Sequence, residues 1–326
     1  MPKTLSERLR CWIEQTLMGT HQLPGWVTVG HPDPDSYLRV TLEWPGQRLD
    51  ISRRNRIVEL RPLILAIGFE NEREFDPSTS GPTRAVLREP GPSGKVTGWV
   101  DLRFTRTIHA GGGWFGLFET GQCHNACIHP VRREAVYFFE WLKMALDRNL
   151  RNLSMTPRDL FAMWVLHNVP RPVVTVSYGS PERGNIFPMD LLGTLTGDCF
   201  VLGLHDTSPA IPLFEKDPKV AICTMPFATR PHVYRLGKNH NAEYVDLRKA
   251  PLATVPSSCF GIPVPADALS VREVVIEQKE LTGTHFLLMA RNASFEIRGE
   301  GEILCNVHRI YQQYLLNAGR PLPMVL

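Results

Sequence analysis

The chain has 326 residues, a length that favours two domains, and its 43% hydrophobic and 21% charged residues describe a globular protein rather than a disordered one. Its 36 basic and 33 acidic residues leave a formal net charge of +3, too weak and too dispersed for a nucleic-acid surface. No apolar run approaches the ~20 residues that span a bilayer, and residues 1–10 lack an apolar signal core, so a cytoplasmic protein with no membrane partner is expected.

From the start of the chain, Leu5, Leu9, Ile13 and Leu17 predict a short helix over residues 5–18. Strands follow from Gly25 to Phe69: Leu38, Val40, Leu42 and Trp44 alternate with polar residues, and Leu63 to Ile67 is a continuous apolar run suited to a fully buried strand. The densest basic run, Arg53-Arg54-Asn55-Arg56, reads as a solvated turn between strands. Residues 70–95 are rich in charge, Pro, Gly and Ser and read as a long loop or mobile arm. Val96, Gly98, Val100, Leu102 and Phe104 alternate again, and Gly111-Gly112-Gly113 then breaks the chain as a flexible turn without the strand-to-helix context of a dinucleotide fingerprint. Pro130 opens a helix marked by Val131, Ala135, Phe138, Phe139, Leu142 and Leu146. No internal repeat of fixed period is visible.

Asn149 to Thr156 is polar and reads as a linker, and Thr156 is placed to cap a helix beginning at Pro157. Beyond the strand Pro172–Val176 the chain turns to short apolar runs between Gly/Pro turns, the pattern of a small barrel or sandwich. A helix near Val307 to Asn317, stopped by Gly319-Arg320-Pro321, ends it. The seven cysteines (Cys11, Cys123, Cys127, Cys199, Cys223, Cys259, Cys305) are odd in number and scattered, which predicts reduced thiols rather than a disulfide framework. Cys123, His124, Cys127 and His129 offer four metal-ligand side chains but lack a second pair at a distance, so no metal site is expected.

Four segments in order carry a resemblance: Leu166-His167-Asn168-Val169-Pro170-Arg171-Pro172-Val173-Val174; Gly184-Asn185-Ile186-Phe187-Pro188-Met189-Asp190; Asp206-Thr207-Ser208; and Leu281-Thr282-Gly283-Thr284-His285-Phe286-Leu287-Leu288. Together they resemble the flavin reductase-like family of FMN-binding split barrels over residues ~157–315, about half the chain. Pro188-Met189-Asp190 depart from the family's small hydroxyl residues, and Gly197-Asp198-Cys199 stand where it has Pro-Pro.

The strands and long helix of the first half read as an α+β domain of unassigned role at 1–150, and the resemblance implies an FMN-binding split β-barrel at 151–326, so the whole is a mixed α+β chain. The resemblance also implies that the Asn-bearing turn from Asn185 through Ile186, Phe187, Pro188 and Met189 lies against the isoalloxazine, that Thr207 and Ser208 take the phosphate, and that His285 faces the flavin and substrate. Hydroxyls and backbone N–H groups suit a phosphate, and an apolar wall suits the ring, whose own chemistry carries the hydride. Lys238 and His240, in a loop placed over the flavin, are further candidates. The implied activity is transfer from NAD(P)H to FMN and on to free flavin, a partner monooxygenase or a small substrate, in a homodimer whose seam two of Phe260, Ile262 and Pro263 would pack. The alternatives are a flavin-binding electron carrier or sensor with residues 1–150 as docking module, and a haem-binding barrel with an axial ligand among His167, His205, His240 and His285.

Overall fold

The computed structural model describes residues 23–71, 73–77, 81–91, 94–110, 113–146 and 155–324, together with Thr16. Of the helix expected over 5–18 only Thr16 is described, as helical, and residues 149–154 of the expected linker lie outside the described residues.

The first half contributes β1 (Trp26–His31), β2 (Arg39–Trp44), β3 (Gln47–Asp50), β4 (Asn55–Leu60), β5 (Leu63–Phe69), β6 (Thr83–Arg88), β7 (Val96–Ala110), β8 (Gly113–Asn125) and helix α1 (Pro130–Leu146). Helix α2 (Pro157–Leu166) leads to β9 (Arg171–Pro172), β10 (Val174–Gly179), β11 (Gly184–Met189), β12 (Leu192–Thr196), β13 (Cys199–His205), α3 (Ile211–Lys216) and β14 (Lys219–Thr224). Helix α4 (Arg230–Arg235), β15 (Thr254–Pro256), β16 (Pro263–Pro265), β17 (Ser270–Leu281), β18 (His285–Ile297), β19 (Ile303–His308) and α5 (Arg309–Asn317) complete the chain.

The strands form two seven-stranded antiparallel sheets, ordered β3-β2-β6-β7-β8-β5-β4 and β11-β10-β14-β17-β18-β13-β12. If the seven strands of each sheet are numbered along the chain, both orders become 2-1-5-6-7-4-3. The third strand of each sheet bulges at the same place, between Ile57 and Glu59 in β4 and between Thr194 and Thr196 in β12. The sequence shows no repeat of fixed period, yet the strand order repeats: Gly68 and Gly203 fall at equivalent places in the fourth strands, whereas Glu59 and Thr196 differ at the end of the third-strand bulges.

The halves meet through these third and fourth strands. β4 packs on β12 and β13, and β12 packs in turn on β4 and β5. Val58, Ala66, Phe115 and Leu117 of the first half join Leu195, Val201, Leu287 and Met289 of the second in one buried cluster. Each of the larger of these side chains contributes roughly 1.5–3 kcal/mol when withdrawn from water, so apolar burial holds the seam. Two glycines allow the approach. A Cβ on Gly203 would strike the Val58 carbonyl, and one on Gly68 would come within 2.7 Å of the Leu195 carbonyl. The largest core cluster joins Leu42, Leu65, Phe69 and Phe118 of the first sheet to Val165 and Leu166 of α2 and Tyr311 and Leu315 of α5. A small third sheet, β1-β19-β9, pairs Trp26 with His308 and His31 with Ile303, so the start and end of the described chain lie side by side.

The alternating strands appear where periodicity placed them, and β5 is buried along its whole length. Thr156 accepts from the Asp159 N–H at the start of α2, and Gly319 (φ +71°) follows α5. The arginines of the basic run pair individually, Arg53 with Asp33, Arg54 with Glu74 and Arg56 with Asp35. Two expectations are corrected. The segment 70–95 is not all loop: β6 lies inside it between β2 and β7, because Ala85, Val86 and Leu87 form a short run that both neighbours bury. After the three glycines the chain returns as β8, a 13-residue strand, before α1 begins. Several of the apolar residues that mark α1 are also not ones it buries. Val136 and Tyr137 face α2, with Tyr137 stacked on Phe161 at 3.8 Å, whereas Val131, Phe138, Trp141 and Leu142 are exposed. Among the described residues no helix is long and apolar enough to cross a membrane.

Candidate functional site

Six of the ten residues singled out from the sequence line one cleft of about 230 Å³: Pro188, Met189, Thr207, Ser208, His240 and His285. Four separate stretches bring them there. Strand β11 delivers Pro188 and Met189 at its end, the corner after β13 delivers Thr207 and Ser208, and the 3₁₀ turn 236–241 delivers His240. His285 opens β18, directly opposite His205 at the end of β13. Leu204 adds an apolar wall, and the His205 ring lies 5.3 Å from that of His285. The Thr207 hydroxyl and N–H both reach His205 Nδ1, at 2.8 and 3.2 Å, so the corner is braced against the strand that precedes it.

The group beneath His285 comes from the other half of the chain. Glu59 of β4 is fully buried, and its carboxylate accepts from the N–H groups of Leu60 (2.7 Å), Arg61 (2.9 Å) and His285 (2.8 Å) and from the Thr284 hydroxyl (2.8 Å). Its Oε1 also lies 3.0 Å from His285 Nδ1. Burial alone would raise this carboxyl, but the hydrogen bonds from the His285 ring, the Arg61 and His285 N–H groups and Thr284 outweigh it and hold the group at about 2. An ionised carboxylate only accepts, so His285 carries its hydrogen on Nδ1 and leaves Nε2 for the cleft.

Asn185, Ile186, Phe187 and Lys238 do not line the cleft. Asn185 stands in strand β11 rather than in the expected turn, and its Nδ2 donates to the carbonyls of Asn239 (3.0 Å) and Ala242 (2.7 Å). Asn239 returns a hydrogen bond to the Ile186 carbonyl at 2.8 Å, so this pair of amides ties the His240 turn to β11. Ile186 and Phe187 are core residues, the latter 4.7 Å from the His240 ring, and Lys238 is exposed on the outer side of its turn. Burial lowers the pKa of His240 against a hydrogen bond with the Pro188 backbone, which keeps that ring neutral.

Of the other histidines, His167 is buried against Met163 and Trp26, away from the cleft. Ile262 and Pro263, expected at a dimer seam, are buried in their own chain. His124 stacks on Trp99 and contacts Arg133 at 2.7 Å, Cys127 donates to the Thr97 carbonyl, and no group of three or more His, Cys, Asp or Glu able to hold a metal ion is present among the described residues.

Beyond Asp190 and Leu191, which wall the cleft, lies a larger cavity of about 640 Å³ that holds none of the ten residues. Arg56, Arg171 and Arg272 reach it, its other walls are mostly apolar, and burial raises the Asp190 carboxyl between the two spaces. The functional group that sequence reasoning missed is Glu59. Its one signal was an acid within the otherwise apolar run Ile57-Val58-Glu59-Leu60.

No family model matches the chain, and no curated protein matches it. Solved structures resemble part of it. An FMN-binding protein from Thermus thermophilus with bound p-hydroxybenzaldehyde is 20% identical, covering 43% of this chain and 82% of that one at a TM-score of 0.38. The NADH:FAD oxidoreductase of Streptomyces globisporus C-1027 is 15% identical over 48% of this chain and 93% of its own, at 0.40. The flavin reductase component of a bacterial two-component tryptophan halogenase is 9% identical over 46% and 98%, also at 0.40. A likeness at this level assigns neither a family nor an activity.

Proposed function

We propose that the cleft binds FMN and that the chain is a flavin-dependent oxidoreductase of the flavin reductase type, with its second half a split β-barrel. The observation that carries this is the convergence of an apolar wall, a hydroxyl corner and two imidazoles from four separate stretches on one cleft. Its volume, about 230 Å³, is below the roughly 300–1,000 Å³ of small-molecule pockets, so a flavin would be partly exposed there. Met189, Pro188 and Leu204 present the surface a flat ring needs. Thr207 and Ser208 present hydroxyls at the rim, where a phosphate keeps part of its hydration. FMN, when bound, would supply hydride chemistry between NAD(P)H and an acceptor such as free flavin, a partner monooxygenase or a small substrate.

The chain's own contribution is orientation and proton handling. Glu59 fixes the Nδ1–H of His285, so Nε2 faces the cleft as an acceptor that takes or returns a proton at the substrate. His240, kept neutral by burial, offers a hydrogen bond without a charge.

The test is the visible spectrum of the purified protein with added FMN, repeated anaerobically with NADH and with NADPH. A perturbed flavin band that bleaches within seconds supports the reading, and His285→Ala should then slow bleaching while FMN affinity stays within a few-fold. A bound flavin that neither nucleotide bleaches makes the chain a carrier instead. A spectrum identical to free FMN, with nothing retained on desalting, removes the flavin assignment.

A further inference from the structure

The two halves share one strand order, yet the cleft belongs to the second. We propose that the chain is an internal pair with a single flavin site, in which the first half has lost the equivalent site and serves the surviving one by positioning His285 through Glu59. This rests on the flavin reading above.

Equivalent positions can be read from the bulges and glycines. Glu59 closes the bulge of β4 as Thr196 closes that of β12. Gly68 pairs with Phe115, two residues after Gly113, as Gly203 pairs with Leu287, two residues after His285. Gly113 therefore stands where His285 stands. The contacts across the seam are reciprocal: His285 lies on Glu59, and a Cβ on Gly113 would come 2.5 Å from Thr196 Oγ1. On one side an imidazole meets a carboxylate. On the other a bare α-carbon meets a hydroxyl that has no hydrogen-bond partner.

The remaining parts of the site are missing from the first half as well. The corner after the fourth strand reads His205-Asp206-Thr207-Ser208 in the second half and Glu70-Asn71-Glu72-Arg73 in the first. Glu70 and Glu74 both turn their carboxylates to Arg54 there, so a phosphate would meet acid instead of hydroxyls. The segment that brings His240 over the cleft, residues 225–269 between the fifth and sixth strands, is matched in the first half only by residues 89–95. What the first half retains is the seam itself and, at its edge, the one acid that reaches the other half's histidine.

Two measurements test this. The first is FMN capacity by equilibrium dialysis of the full chain. The expected result is one FMN per chain, with a Thr207→Val/Ser208→Ala double variant losing all tight binding. Two FMN per chain, or half the capacity surviving in the variant, overturns the single-site proposal. The second is the ¹⁵N spectrum of the histidine rings in wild type and Glu59→Gln, with His285 identified by its loss in His285→Ala. The expected wild-type ring carries its hydrogen on Nδ1, and Glu59→Gln, whose amide can donate or accept, relaxes this to a mixture. It should also lower the rate of flavin reduction by about ten-fold or more while FMN affinity stays within about three-fold. A wild-type ring protonated on Nε2 alone overturns the positioning role even if the variant fails to fold, and so does a tautomer unmoved by the substitution. If FMN does not bind at all the flavin reading fails, and the ring spectra still decide whether Glu59 positions His285.

Discussion

Glu59→Gln also makes a prediction that needs no ligand. The folded chain holds this carboxyl at about 2 against an ordinary value of 4.5, and the side chain is fully buried, so solvent does not screen the effect. The difference corresponds to about 3 kcal/mol of stability at neutral pH. Because the folded value lies below the unfolded one, this contribution is complete above about pH 5 and is lost as pH falls through 4.5 towards 2. Roughly 2 of the 3 kcal/mol are gone by pH 3. The amide of the variant cannot ionise, and its NH₂ would face N–H groups that now donate to the carboxylate. Urea unfolding of both proteins at pH 7, 5, 4 and 3 reads the effect directly, and taking the difference between them cancels the other acids. The variant should be weaker by about 3 kcal/mol at pH 7, with the gap narrowing to about 1 at pH 3. A gap that is absent at pH 7, or constant down to pH 3, would refute the account of Glu59 as a buried, ionised acceptor.

Gly203→Ala should cost about 1–3 kcal/mol in urea unfolding, since its Cβ meets the Val58 backbone, and Gly68→Ala at the equivalent place should cost a similar amount; no loss in either would mean the halves are packed less closely than these contacts require. Asn185→Ala removes the two hydrogen bonds that its own amide makes to the turn that carries His240, leaving that of Asn239, and should cost about 1–3 kcal/mol, with faster amide exchange confined to residues 236–242; unchanged exchange there would show that the tie is idle. His308 is buried under Trp164, and burial, with Arg309 and His167 nearby, lowers its pKa well below 6.5. The unfolded chain therefore takes up a proton that the folded one refuses, and stability falls as pH drops below about 6.5. His308→Asn keeps an acceptor for the Ile310 N–H and should flatten the fall in melting temperature between pH 7 and 5; an equally steep fall would place the acid sensitivity elsewhere.

Local physics made much of the fold legible. Alternation marked β2 and β7, a continuous apolar run marked β5, and a threonine, a proline and an aspartate marked the start of α2. Strand β6 escaped because Ala85-Val86-Leu87 is short and its flanks are crowded with turn residues; only pairing on both sides makes it a strand. Strand β8 escaped because Gly113, Gly116 and Gly121 weaken its pattern. The repeat escaped because Glu59 and Thr196, or Gly113 and His285, share a position but no chemistry. At the cleft, Thr207, Ser208 and His285 were legible only through the family resemblance of the segments that hold them; the structure sets them at the ends of β13 and β18. Glu59 was not legible, since its partner lies 226 residues away and spacing is silent about such contacts. Asn185 was expected against the ring; in the structure its amide ties β11 to the turn that carries His240.

The pairing of β1 with β19 bears on how the two halves stay together. An assembly of two separate subunits comes apart on dilution, at a point set by its dissociation constant. Here residue 26 is bonded beside residue 308, so a strand pair ties the start of the first half to the end of the second in addition to the covalent chain that already joins them. The effective concentration of one half at the other is fixed by the covalent chain that joins them, whatever the amount of protein in solution. Tied in this way, the first half need not also hold a ligand to remain in place, and its former site was free to fill with Glu70, Gly113 and Thr196.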